Sequence, residues 1–256
     1  MRECCNHAMK KSVVVLVAFF LSAVALSLVV TSVQAQQVVP KAIVSKDTIV
    51  DGYRHFIMPS AKPVQGGYAG VWELAFLQAG VGIEDVLSIT GGFTIMPTVS
   101  VRSQFGFLQA KLTLADEGGL SFAAGMNLLR LTSEHLYTHL FAVGTYETTQ
   151  HTRFTGLFFY KLTGDDYPIV NVFPYGTFAF NYGGAVGIGA GFDTPVPEIS
   201  NLRIVAEVWN HDIQSPTKLA ALLALRVENA KFSSDFGFMY FTLPILAPVA
   251  NFVWRF

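Results

Sequence analysis

The residues of this chain that could do acid–base chemistry are its five histidines beyond position 50: His55, His135, His139, His151 and His211. Ser133, Glu134 and His135, or His211 with Asp212, hold the residue types of a hydrolase. Their spacing matches no triad signature, and neighbours on a strand point to opposite faces. No two histidines stand at a ligand spacing with a third donor nearby, so neither a metal site nor a catalytic residue is predicted. GAVGIGAGF offers a glycine-rich loop, but Gly187, Gly189 and Gly191 fall on every second position. That spacing predicts inward-facing glycines that let a strand curve, with no phosphate or other cofactor bound.

The informative polar set is a row of charges predicted to face inward: Glu73, Lys111, Arg153, Lys161, Arg203, Glu207, Lys218, Arg226, Glu228, Asp235 and Arg255. Their signs are mixed, whereas a selective pore shows one dominant sign along its narrowest part. Paired charges crossing an interior follow, as a structural core or a narrow polar pathway. Glu73 and Arg255, on the first and last segments, are one expected pair.

The elements that position these charges are strands. From Gly66 onward the chain reads as segments of about ten residues with period two. Leu108, Ala110, Leu112 and Leu114 alternate with Gln109, Lys111 and Thr113; Leu219, Ala221, Leu223, Leu225 and Val227 oppose Lys218, Arg226 and Glu228. One face is uniformly large and apolar, the other small or polar, the reverse of a water-soluble barrel. The sequence is 52% hydrophobic and only 14% charged, against roughly 25% charge in soluble domains. Aromatic residues near segment ends, among them Tyr68, Trp72, Tyr175, Trp209, Tyr240, Trp254 and Phe256, fit interfacial girdles.

Twelve segments are predicted: 67–80, 84–96, 103–115, 119–130, 136–148, 152–163, 169–181, 184–192, 201–210, 217–229, 231–242 and 248–256. An even count suits an all-β, closed, antiparallel up-and-down barrel spanning residues 66–256. The last segment, with Phe252, Trp254 and Phe256 on one face, would then pair with the first and leave no exposed edge. With segments so divided, the tight ADEGG and ETTQH turns fall opposite the termini, and RLTSEHLYT falls on the termini's side. No link is longer than about ten residues, which counts against an adhesin.

Upstream, Arg2, Lys10 and Lys11 precede an uncharged run from Ser12 to Val30, and Val33-Gln34-Ala35 offers a cleavage site. Residues 1–35 are read as a signal peptide, with an uncleaved anchor as the alternative. Cys4 and Cys5 precede the apolar run, so the mature chain has no thiol. It keeps 14 basic against 17 acidic residues, since residues 1–35 hold three bases and Glu3, for a formal charge of −3. Nucleic acid is no partner. Residues 36–65 are read as a periplasmic lead-in.

FIMPSAKPVQGGYAG, GVGIEDVLSITGGFTIMP, FLQAKLTLADEGGLSFAAGMN and SSDFGFMYFTLPILAPVANFVWRF together resemble successive segments of a family of uncharacterised Gram-negative outer-membrane β-barrel proteins. The strand closing on Phe256 is similar to the signal read by the barrel-assembly machinery. The resemblance implies the outer membrane, its lipid and that machinery as surroundings. It brings no substrate and no site. The expected function is a small passive pore or envelope-structural component without chemistry; a lipid-modifying rim enzyme and a surface adhesive protein are the alternatives.

Overall fold

The computed structural model describes residues 53–256 apart from 74, 173–175, 180–182, 200, 216–218 and 241–245. The proposed signal peptide, residues 36–52, Lys218 and Tyr175 lie outside the described residues. Among the described residues there are fourteen strands: β1 (Gly67–Trp72), β2 (Phe76–Ile83), β3 (Leu87–Thr94), β4 (Gly106–Glu117), β5 (Leu120–Arg130), β6 (Leu136–Glu147), β7 (Arg153–Thr163), β8 (Ile169–Val172), β9 (Gly176–Ala179), β10 (Val186–Pro195), β11 (Leu202–Asn210), β12 (Leu219–Glu228), β13 (Phe232–Tyr240) and β14 (Leu246–Arg255).

Twelve of them close into one antiparallel up-and-down barrel, while β8 and β9 form a separate hairpin between β7 and β10. The expected closure is present. β1 pairs with β14, Tyr68 opposite Arg255 and Trp72 opposite Asn251, and the amide and carbonyl of Phe256 both bond Gly67, at 2.9 and 3.0 Å. The count of twelve holds, but two segments divide differently. The stretch 67–80 is two strands, turning through Glu73 in a left-handed conformation (φ 52°); the stretch 169–181 leaves the wall to make the hairpin. No glycine or proline marks the Glu73 turn, so period two runs through it unbroken.

The extra early strand reverses the side assigned to each turn before residue 169, and the departure of 169–181 from the wall restores it for the turns that follow. Glu84–Asp85, Gly118–Gly119 and the turns at 148–152, 196–201 and 229–231 now share one end with Gly67 and Phe256. The Glu73 turn and the links at 95–105, 131–135, 164–185 and 211–218 share the other. The longest links thus lie opposite the termini, the usual arrangement of outer-membrane barrels. Gly118 and Gly119, at φ 60° and 82°, make the two-residue turn that matches the twist of the flanking strands and that other residues adopt reluctantly. The link at 164–185 exceeds the expected ten residues, so loop length no longer argues against an adhesive surface.

The wall is inside-out. Leu114 is 63% exposed and Leu223 60%, with Leu108, Phe236, Phe238 and Trp254 exposed beside them, whereas Arg153, Asp193, Glu207, Arg226 and Asp235 are wholly buried. A continuous apolar exterior around a charged interior is stable only against hydrocarbon. Several expected girdle aromatics do not join that exterior. Tyr68 is buried, stacked on Tyr53 with centroids 4.8 Å apart, and Trp72 packs on Phe56 inside the barrel. Trp209 also packs against the interior cluster.

Candidate functional site: a lumen closed by its own chain

Residues 53–65, the described part of the expected periplasmic lead-in, lie within the barrel. They make a tight hairpin: Arg54 bridges Pro59, His55 N–H donates to the Met58 carbonyl at 2.9 Å and Ser60 N–H to that of Tyr53 at 3.0 Å. The wall makes room with glycine. A Cβ at Gly191 would stand 2.8 Å from the His55 ring, one at Gly189 would stand 3.1 Å from Met58 Sδ, and one at Gly82 would collide with the Val64 carbonyl. Inward glycines were expected for curvature; the space they leave is filled by chain.

The hairpin brings backbone amides into the interior, where each needs a partner. At its tip the Glu207 carboxylate accepts from the N–H groups of Phe56, Ile57 and Met58, the Ile57 bond being 2.8 Å. On the opposite wall, Lys111 Nζ donates to the carbonyls of Ser60 (2.7 Å) and Lys62 (2.5 Å). Ala61 N–H donates to Thr145 Oγ1 at 2.9 Å and Val64 N–H to Ser88 Oγ at 2.9 Å. Five strands thus grip thirteen residues, counting the 2.7 Å contact of His55 Nε2 with Thr155 Oγ1 on β7.

Around this grip the charges alternate in sign. Asp193 accepts from Arg153, from Arg203 Nε at 2.5 Å and from Arg226 Nη1 at 3.4 Å. Asp235 accepts from Arg226 Nε at 2.5 Å, from Arg54 Nη1 at 3.0 Å and from Asn251 Nδ2 at 3.3 Å. Glu228 lies 3.8 Å from Arg203 and 4.0 Å from Arg255. Arg203 and Arg226 are direct ladder partners, a like-charge pair that alone would repel. Asp193 and Asp235 offset it. The mixed signs read from sequence are therefore paired across the interior.

Of the expected lumen charges, Lys111, Arg153, Arg203, Glu207, Arg226, Glu228 and Asp235 are buried inside, and Arg255 joins them at the termini's end. Lys161 instead pairs with Asp166, whose side chain is exposed, at the far end of β7. Glu73 is not in the lumen. It caps the β1–β2 turn, its Oε1 accepting from Ala250 N–H at 2.7 Å. The expected Glu73–Arg255 pair fails for the same reason: Arg255 is opposite Tyr68, five residues along the seam and so about 17 Å away.

Arg54, Asp193 and Asn251 were not picked out from the sequence, and His55 was picked out only as one of five histidines and not as a lumen residue. Asp193 continues the parity of Gly187, Gly189 and Gly191, a signal lost by ending that segment at 192. Asn251 lies between Phe252 and Ala250 on the polar face of the last segment. Ser133 and His135 do not converge on a common point with a carboxylate between them: Ser133 N–H donates to the Arg102 carbonyl and His135 Nδ1 pairs with Asp165 at 2.8 Å. Among the described residues no cluster of three metal-ligating side chains occurs.

Along one side of the hairpin the lumen keeps a chamber of about 260 Å³, with Ile57 exposed in its floor and Trp72, Phe76 and Phe107 in its wall. A closed twelve-stranded barrel with an apolar outside and a charged inside is the class this geometry defines. No family model and no curated protein matches the chain. In fold it is similar to solved structures of KdgM porin: one, at TM-score 0.50 and 8% identity, covers 74% of this chain and 97% of that one. A second, titled KdgM porin in complex with disordered oligogalacturonate, has a TM-score of 0.49 at the same identity and coverage.

Proposed function

We propose that this protein is a porin-like barrel of the outer membrane, shut in its resting state by its own residues 53–65. The observation that carries the reading is the Glu207 carboxylate holding three successive amides of the hairpin tip. A passive pore has no need of a chain segment bonded to five strands. A gated one does. In this reading residues 1–35 are the export signal, and the termini's end with its short turns is periplasmic. The outward row Phe252, Trp254 and Phe256 is what the assembly machinery engages, and lipid surrounds the wall.

Planar-bilayer recording tests it. The full chain should pass little current, and Glu207→Gln, which cannot hold the three amides as an anion does, should show frequent openings. Large, steady conductance from the unaltered chain would refute the closed state. The same silent trace from Glu207→Gln and from a chain lacking residues 53–60, both shown to be folded by faster gel migration before boiling, would point to an envelope-structural role instead.

A further inference from the structure

We propose that the chamber beside the hairpin is a binding site for a small uncharged molecule with one aromatic ring and one hydroxyl group. The inference rests on the plugged-barrel reading, because the hairpin supplies the chamber's floor. Three observations carry it.

The first is size. An apolar cavity of about 150 Å³ suffices to hold benzene, so 260 Å³ admits one ring with a polar substituent and little more. The second is the wall. Phe76 and Phe107 lie parallel with centroids 5.6 Å apart and 8° between planes, and Trp72 meets Phe76 edge-on at 5.8 Å. Such a wall offers a further ring both edges and faces.

The third is a pair of polar atoms left without partners. Among the described residues, Trp72 Nε1 and Asn127 Oδ1 are buried and make no hydrogen bond, and both residues line the chamber. Buried polar groups are nearly always satisfied, and an exception calls for a cause. An indole N–H donates and an amide oxygen accepts, so a ligand hydroxyl, donor and acceptor together, suits whichever of the two it reaches. Charge points the same way. The two cations at the chamber are already engaged, Lys111 by the Ser60 and Lys62 carbonyls and Arg54 by Asp235, so a ligand's charge would find no counter-charge waiting.

The test titrates phenol into the full chain in mild detergent. Trp209→Phe and Trp254→Phe together leave Trp72 as the one tryptophan, excited selectively over the tyrosines at the red edge of the absorption band. Saturable quenching is expected. Asn127→Leu should weaken phenol about 2- to 10-fold, the range of one net hydrogen bond; Leu128→Ala, on the exposed face of the same strand, should leave it unchanged. Calorimetry on the unaltered chain repeats the measurement without relying on the tryptophan variants. Unsaturable quenching, equal loss in both variants, no loss in Asn127→Leu, or tighter binding of glucose than of phenol would overturn the proposal. No current is recorded, so failure of the gate shows in the bilayer and failure of the site in the titration.

Discussion

Arg226 and Asp235 face each other as ladder partners across β12 and β13, with Nε and Oδ1 2.5 Å apart, and the same guanidinium donates to the His55 carbonyl at 2.7 Å. One side chain therefore ties wall to wall and wall to hairpin.

Removing it should cost more than any rim charge. Arg226→Met leaves Asp235 and the His55 carbonyl buried without their main donor, a loss on the order of 3–5 kcal/mol for a broken buried pair. Lys161→Met breaks a pair whose acid is exposed, worth about 0–1 kcal/mol. Urea unfolding in detergent, followed by loss of the fast-migrating gel form, should separate the two by more than 2 kcal/mol.

Accessibility should follow the hairpin's depth. With Cys4 and Cys5 replaced by serine, Ile57→Cys, in the chamber floor, should react on intact cells with a thiol reagent that cannot cross the outer membrane. Val64→Cys, only 2% exposed and packed against Gly82, should stay unlabelled. Equal labelling of both would remove the hairpin from the lumen.

Small inward substitutions should act on the hairpin before the wall. Gly82→Ala places a methyl against the Val64 carbonyl, an overpacking that costs about 1–3 kcal/mol if the chain stays put. Release of the hairpin relieves it, so bilayer openings should become more frequent while the heat-modified gel shift persists. Gly156→Ala meets nothing within 4 Å and should change neither.

Reversing Glu73 and Arg255 should give no rescue. They stand at opposite ends of the β1–β14 seam, so losses from Glu73→Arg and Arg255→Glu should add within about 0.3–0.5 kcal/mol. A coupling above 1 kcal/mol in that double-mutant cycle would contradict the register of the seam.

How much of this was legible beforehand follows from the range over which each feature is decided. A side chain's face on a strand depends on its own position and parity, a local property. Leu223 outward and Arg226 inward could be read directly, and so could the lipid-facing wall, the inward glycines and the twelve-stranded closure. Parity does not report where a strand bends without glycine or proline, and Glu73 turns the chain inside an unbroken alternation. It does not report whether a strand joins the wall, and 169–181 does not.

The lumen itself was decided only in three dimensions. Glu207 meets Phe56 from 151 positions away and Arg54 meets Asp235 from 181, separations at which no sequence spacing carries information. Residues 53–65 read as an unpatterned lead-in because their order comes from partners on the barrel wall. A buried amide must find an acceptor and a buried carboxylate a donor, and only the closed barrel brings Glu207 to the three amides it holds.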